Sequence, residues 1–240
     1  GGGPGPTGRL SNVVAGLFVG LLSWGLMTTC RAAAPPDDMA ARMQACEICH
    51  GAEGRASSEG YLPRIAGKPA AYLFNQLVNF RDGRRRNAAM SHLLVTLDDA
   101  YLADMAAYFA ALELPYPTPA AETVPAATLA HGETLVRQGD PARKIPACRE
   151  CHGDRLTGLL PATPGLLGLP RDYLVAQLGA WQQGHRRAVE PDCMAKVAGR
   201  LDGRDIAAVA SWLAAQPVPR DARAEVQATK PSLDCGSAAR

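Results

Sequence analysis

An all-α chain made of two tandem domains of one design is what this sequence predicts. Three observations carry that expectation. A set of residues recurs after about a hundred positions. Inside each copy apolar residues fall at helical spacing, with no alternating strand pattern of useful length. Between the copies, Glu113 to Ala126 holds four prolines and little else of structural character, which suits an extended linker. The repeat is specific: Gly67-Lys68-Pro69-Ala70-Ala71-Tyr72-Leu73 matches Gly168-Leu169-Pro170-Arg171-Asp172-Tyr173-Leu174, Gln76-Leu77 matches Gln177-Leu178, and Phe80 matches Trp181. Gly83 then matches Gly184, Arg85-Arg86 matches Arg186-Arg187, and Tyr108 matches Trp212.

The elements follow in order. Residues 1–34 form a leader: Arg9, then an apolar run from Val13 to Thr29, then small residues up to Pro35-Pro36. That run lies between a signal peptide and the shortest transmembrane span, roughly 17 residues, so a cleaved signal and a retained membrane anchor both stand open. Residues 35–113 make the first domain. It opens with a short helix, Met39 to Cys49. A second helix, Ala70 to Arg81, sets Leu73, Leu77 and Phe80 on one face, with Pro69 suited to its start and Gly83 to its end. Leu97-Asp98-Asp99 opens a third, running to about Leu112, with acidic residues at the positive end of the helix dipole. After the linker, 114–126, the second domain, 127–216, repeats the plan with helices from Leu129 to Gln138, Arg171 to Gln183 and Asp202 to Ala215. Residues 217–240 are a polar tail expected to lie over the second domain.

The chemistry lies in a pentapeptide that occurs twice, Cys46-Glu47-Ile48-Cys49-His50 and Cys148-Arg149-Glu150-Cys151-His152. Cys-x-x-Cys-His is the attachment sequence of c-type haem: two thiols add across the vinyl groups and the adjacent His supplies an axial nitrogen to iron. Cys46, Cys49, Cys148 and Cys151 are therefore expected to carry two covalent haems, with His50 and His152 on the irons. A domain of about 80 residues has a marginal core on its own, and a bound porphyrin supplies the missing apolar volume. Structural zinc also takes four Cys, but zinc leaves the two adjacent His unexplained.

An electron-carrying iron needs a sixth ligand. Met90 follows His50 by 40 residues and Met194 follows His152 by 42. A lone Met is usually a core residue, but two at equivalent positions of a repeat, each in a polar segment, point to thioether ligands on the two irons. Cys193 is the rival for the second. Met105 reads as core, His131 as a surface helix residue, and His92 and His185 lack counterparts in the other copy.

Composition sets further limits. With 25 Lys and Arg against 23 Asp and Glu, the charge is near neutral, and Arg84-Arg85-Arg86 is too short a basic run for a nucleic-acid partner. Aromatics are scarce, at four Phe, three Trp and six Tyr, as suits domains whose largest core object is a cofactor. Of the seven Cys, four are assigned to haem and Cys30 lies in the leader. Cys193 and Cys235 remain, and an exported chain favours a disulfide between them over two free thiols.

The order Cys-x-x-Cys-His, Pro and Gly, Tyr-Leu-x-x-Gln-Leu, Gly-x-Arg, Met, then Asp and a final aromatic helix occurs twice across residues 37–215. In this it resembles the dihaem class I cytochromes of the cytochrome c4 family. The resemblance implies two cytochrome c-like domains with neighbouring haems, a periplasmic location, and delivery of electrons from a redox-protein donor of the respiratory chain to a terminal oxidase, without enzymatic turnover. It carries Cys46, Cys49, His50 and Met90 to one haem and Cys148, Cys151, His152 and Met194 to the other. It assigns the carbonyls of Pro63 and Pro164 as acceptors for the free nitrogens of the axial His residues. Arg85, Arg86, Arg186 and Arg187 are candidates to neutralise haem propionates through charge-assisted bonds. The alternatives are a membrane-anchored cytochrome subunit of a dehydrogenase or oxidase complex, associated through the apolar leader, and a dihaem peroxidase.

Overall fold

The computed structural model describes residues 1–3, 5, 38–57, 60–119, 123–226 and 232–238. The leader's apolar run falls outside them. Among the described residues the chain is helical, apart from one two-residue strand pair.

The first half contains α1 (Met39–His50), α2 (Ala70–Arg81), α3 (Ala88–Leu94) and α4 (Asp99–Ala110). The second contains α5 (Ala126–Arg137), α6 (Cys148–His152), α7 (Arg171–Gln182), α8 (Cys193–Ala198) and α9 (Gly203–Ala215). Most starts have a local cause. Asp38, Asn87, Asp98, Asp192 and Asp202 each accept a bond from a backbone N–H in the first turn that follows. Asp202 and Asp205 close a reciprocal capping box at the head of α9. Pro69, Pro125 and Pro170 sit at the N-caps of α2, α5 and α7. Because Pro125 sets its start, α5 begins three residues before the predicted Leu129.

Two short helices depart from the sequence reading. Met90 and Met194 were expected in polar loops; they lie in α3 and α8. Strands β1 (Gly158–Leu159) and β2 (Thr163–Pro164) pair antiparallel with Gly158 opposite Pro164, and Leu159 also bridges in parallel to Glu225 of the tail.

Each half has its own apolar core. In the first, Met43, Leu73, Leu94, Leu102, Met105 and Phe109 gather between α1, α2 and α4. In the second, Leu135, Val136, Leu174, Val209, Trp212 and Leu213 do the same between α5, α7 and α9. A smaller group, Ile145, Leu178, Ala198, Leu201 and Ile206, lies beside it, with Met194 packed against its edge. Helices α5 and α9 cross very closely: a Cβ at Gly132 would lie 2.2 Å from the Ala208 carbonyl oxygen.

The halves meet through a backbone crossing that the repeat makes nearly symmetric. The Arg86 N–H donates to the His185 carbonyl and the Arg187 N–H donates to the Arg84 carbonyl, both at 2.8 Å, so that Arg85 and Arg186 pair in antiparallel fashion. The chain leaving the first half is pinned as well. The buried Arg64 donates to the Pro115 carbonyl at 3.1 Å and lies over the Tyr116 ring, 3.9 Å from its centroid.

Candidate haem sites

Both Cys-x-x-Cys-His motifs are helical, and each ends at its His. The next residue, Gly51 or Gly153, takes a left-handed φ of 75° or 86°, where a side chain would be strained. The chain turns back there and brings a Pro carbonyl against the imidazole. His50 Nδ1 lies 2.9 Å from Pro63 O, and His152 Nδ1 lies 2.8 Å from Pro164 O. A carbonyl can only accept, so Nδ1 carries the proton in both rings and Nε2 keeps its lone pair for a metal. Burial pushes both imidazoles below their ordinary pKa, with nearby Arg85 and Arg186 adding to the effect, and the neutral ring is the ligating form.

The thiols fit covalent haem. Cys46, Cys49, Cys148 and Cys151 are unpaired, whereas Cys193 and Cys235 form a disulfide. Burial pushes the Cys148 thiol up to about 12 and raises Cys46 and Cys151 in the same direction. Such surroundings disfavour the thiolate that zinc requires and suit a neutral thioether. Among the described residues, no group of three or more His, Cys, Asp or Glu is gathered as an ion site.

In the first half Cys46 and Met90 border the same apolar cluster. In the second, Cys148 borders the larger cluster and Met194 the smaller, with Val175 touching both. The Met90 N–H donates to Asn87 Oδ1 at 3.0 Å, and Met194 lies one residue after Cys193 in a helix capped by Asp192.

The four arginines separate into two kinds. Arg86 and Arg187 are exposed, and it is their backbone N–H groups that cross between the halves. Arg85 and Arg186 are buried, each over the aromatic ring of its own copy: Phe80 at 4.4 Å and Trp181 at 3.9 Å from the centroids. Arg85 donates to Gln76, Gln177 and the Tyr173 hydroxyl; Arg186 donates to Gln177, Gln76 and the Tyr72 hydroxyl. All of these acceptors are neutral. Burial, and then Arg85, hold the Arg186 guanidinium below its ordinary value. Burial alone would raise the Tyr173 phenol, but the two guanidiniums outweigh it and lower it. Two buried cations facing neutral partners are the donor set that a pair of propionates would complete.

Sequence reading missed one cluster. His131 is exposed on α5, as expected of a surface helix residue, but its Nε2 lies 2.8 Å from Oδ1 of the buried Asp205, whose other oxygen accepts from Arg143 at 2.7 Å. The capping position of Asp205 was the available signal. This cluster ties the Asp140–Pro146 segment, which the first half lacks, to α9.

No family model matches the chain. It is 38% identical over 209 residues to the thiosulfate dehydrogenase electron acceptor of Thiomonas intermedia (strain K12), covering 87% of this chain and 93% of that one. It is 34% identical over 195 residues to cytochrome c4 of Pseudomonas aeruginosa, covering 80% of this chain and 94% of that one. The chain belongs to the cytochrome c4 family. The fold agrees: the crystal structure of reduced cytochrome c4 from Pseudomonas stutzeri matches with a TM-score of 0.63 at 30% identity, over 72% of this chain and 94% of that one. As a member of the cytochrome c4 family the chain is a dihaem c-type cytochrome of two cytochrome domains, an electron carrier rather than an enzyme. Among the described residues no helix is long and apolar enough to cross a membrane.

Proposed function

We propose that this protein carries electrons in the periplasm between a respiratory donor and a terminal oxidase, through two haems each held by His and Met. The observation that carries the reading is the duplicated His–carbonyl pair. His50 with Pro63 and His152 with Pro164 present the same free nitrogen in the same local frame, and each has a Met at the matching place of its repeat. Each haem, when bound, supplies an iron that changes by a single electron.

The chain's residues do the rest. Cys46 and Cys49, and Cys148 and Cys151, fix the macrocycles. The Pro carbonyls orient the imidazoles and strengthen them as donors. Met90 and Met194 would supply a thioether sulfur to each iron, a ligand that favours the reduced state and would leave little room for peroxide or oxygen. Arg85 and Arg186 neutralise propionates where the two domains meet, a role that Arg86 and Arg187, exposed at the surface, support less well. The domain limits 35–113 and 127–216 and the tail 217–240 are part of this reading.

The relative named as an electron acceptor for thiosulfate dehydrogenase favours a particular donor class, a dehydrogenase that oxidises inorganic sulfur compounds. The reading is tested by a pyridine haemochrome assay with a potentiometric titration of the purified holoprotein. The expected result is two haems per chain, two one-electron waves and two sulfur-to-iron charge-transfer bands. Fewer than two haems, or rapid formation of high-valent iron when peroxide meets the half-reduced protein, overturns it.

A further inference from the structure

The C-terminal segment treats the two halves differently. The Ser232 N–H donates at 2.8 Å to Oε1 of Glu150, which stands two residues before His152 in the second motif. Three residues later Cys235 is bonded to Cys193, the neighbour of Met194. The Gly236 N–H donates to the Pro191 carbonyl at 3.0 Å, and the contact is tight: a Cβ at Gly236 would lie 2.2 Å from the Glu190 carbonyl oxygen. Ser237 O then accepts from the buried Asn75 amide of α2, in the first half, at 3.2 Å.

An extended chain advances about 3.3–3.6 Å per residue, so residues 232–235 reach only about 10 Å. Within that reach they join the helix that carries His152 to the helix that carries Met194. A macrocycle held by His152 and Met194 would have an edge in the gap between those helices, and this segment spans that gap.

The first half offers the contrast. Ile48 stands where Glu150 does and is 85% exposed; Leu93 and Val95, just beyond Met90, are 58% and 61% exposed. The motifs themselves differ in the same sense. Cys49 is exposed while Cys151 is half-buried, and His50 is half-buried while His152 is buried.

We propose that residues 232–238 form a disulfide-locked strap across the edge of the second haem, closing it to external redox proteins and leaving the first haem, with its open apolar rim, as the port for electron exchange. This rests on the haem reading of both motifs and on Met194 as ligand.

The test follows the hyperfine-shifted methyl protons of both haems in the oxidised holoprotein during titration with a neutral gadolinium chelate. This readout does not depend on electron exchange between the haems. The first haem's methyls are expected to broaden severalfold more than the second's. In the double variant Cys193→Ala with Cys235→Ala, the second haem's broadening rises severalfold while the first's is unchanged. Equal broadening of the two haems in the parent chain, or no rise in the variant, overturns the strap. If the double variant does not fold, Glu150→Ala frees the Ser232 end while the disulfide holds the other; a smaller rise confined to the second haem is then expected, and no rise overturns the strap. Sulfur-to-iron bands recorded on the same samples report the ligand reading separately: their loss from the parent chain counts against the axial Met residues and not against the strap.

Discussion

Arg85 and Arg186 share their acceptors. Arg85 donates to Gln76 Oε1 at 3.0 Å and to Gln177 Oε1 at 2.7 Å, while Arg186 donates to Gln177 Oε1 at 2.8 Å and to Gln76 Oε1 at 3.2 Å. Each half thus supplies one cation and one amide to a buried polar knot, and neither cation meets a carboxylate among the described residues. Like charges brought together in a buried place repel, so the arrangement is stable only with counter-charge close by. On the proposed reading, haem propionates would supply it.

Replacing Arg186 with Leu removes a positive charge near the second haem. A lost cation favours the ferric form, so the potential falls. For unit charges ~10 Å apart at an effective dielectric of ~20 the interaction is about 1.7 kcal/mol, or about 70 mV for one electron. A potentiometric titration should show one wave shifted down by tens of millivolts and the other moved less. Two unmoved waves would remove Arg186 from the haem environment.

The axial assignments are separable. Met90→Ala should abolish one sulfur-to-iron band and lower one potential, and Met194→Ala should do the same to the other, because the thioether favours the reduced state. Visible spectra and titrations of the two single variants check this. If either variant keeps both bands, its Met is not the ligand.

Most of the fold was legible because its signals are local. Helix α2 lies where the spacing of Leu73, Leu77 and Phe80 put it, and Asp98 and Asp202 announced α4 and α9. Helices α3 and α8 were missed because seven and six residues are too few to show a period. Their caps, Asn87 and Asp192, were the legible trace. The sequence offered all four arginines alike as propionate partners; that Arg85 and Arg186 are buried while Arg86 and Arg187 are exposed depends on two copies of one segment meeting face to face. Pairing of Cys193 with Cys235 followed from parity, but the Asn75–Ser237 contact joins residues 162 positions apart and carries no sequence signature. For the site, the attachment motifs and the repeat placed the Met residues at matching positions, whereas the His131–Asp205–Arg143 cluster needed the folded chain.

The close crossing of α5 and α9 depends on Gly132. A methyl there would meet the Ala208 carbonyl oxygen at 2.2 Å and Trp212 Cβ at 2.9 Å, so backbone must move. Gly132→Val should cost about 1–3 kcal/mol as an overpacking substitution, despite the helix propensity Gly lacks. Thermal unfolding of the holoprotein measures it, and an unchanged melting temperature would mean that the crossing is looser than described.

Asp205 makes the second domain sensitive to acid. Burial alone would raise its pKa, but bonds from Arg143, the Asp202 N–H and His131 together hold the carboxyl down at about 2. In the unfolded chain the same group titrates near 3.9. The folded state therefore binds fewer protons than the unfolded state between those values. Asp205 contributes its full stabilisation, about 2 kcal/mol, above pH ~4 and loses it as the pH falls toward 2. Asp205→Asn should lower the melting temperature at pH 7, and the gap from the parent should narrow as the pH is brought from 4 to 2. A gap that stays constant across that window would show that the carboxylate's charge does not stabilise α9, leaving its capping bonds as the whole of its role.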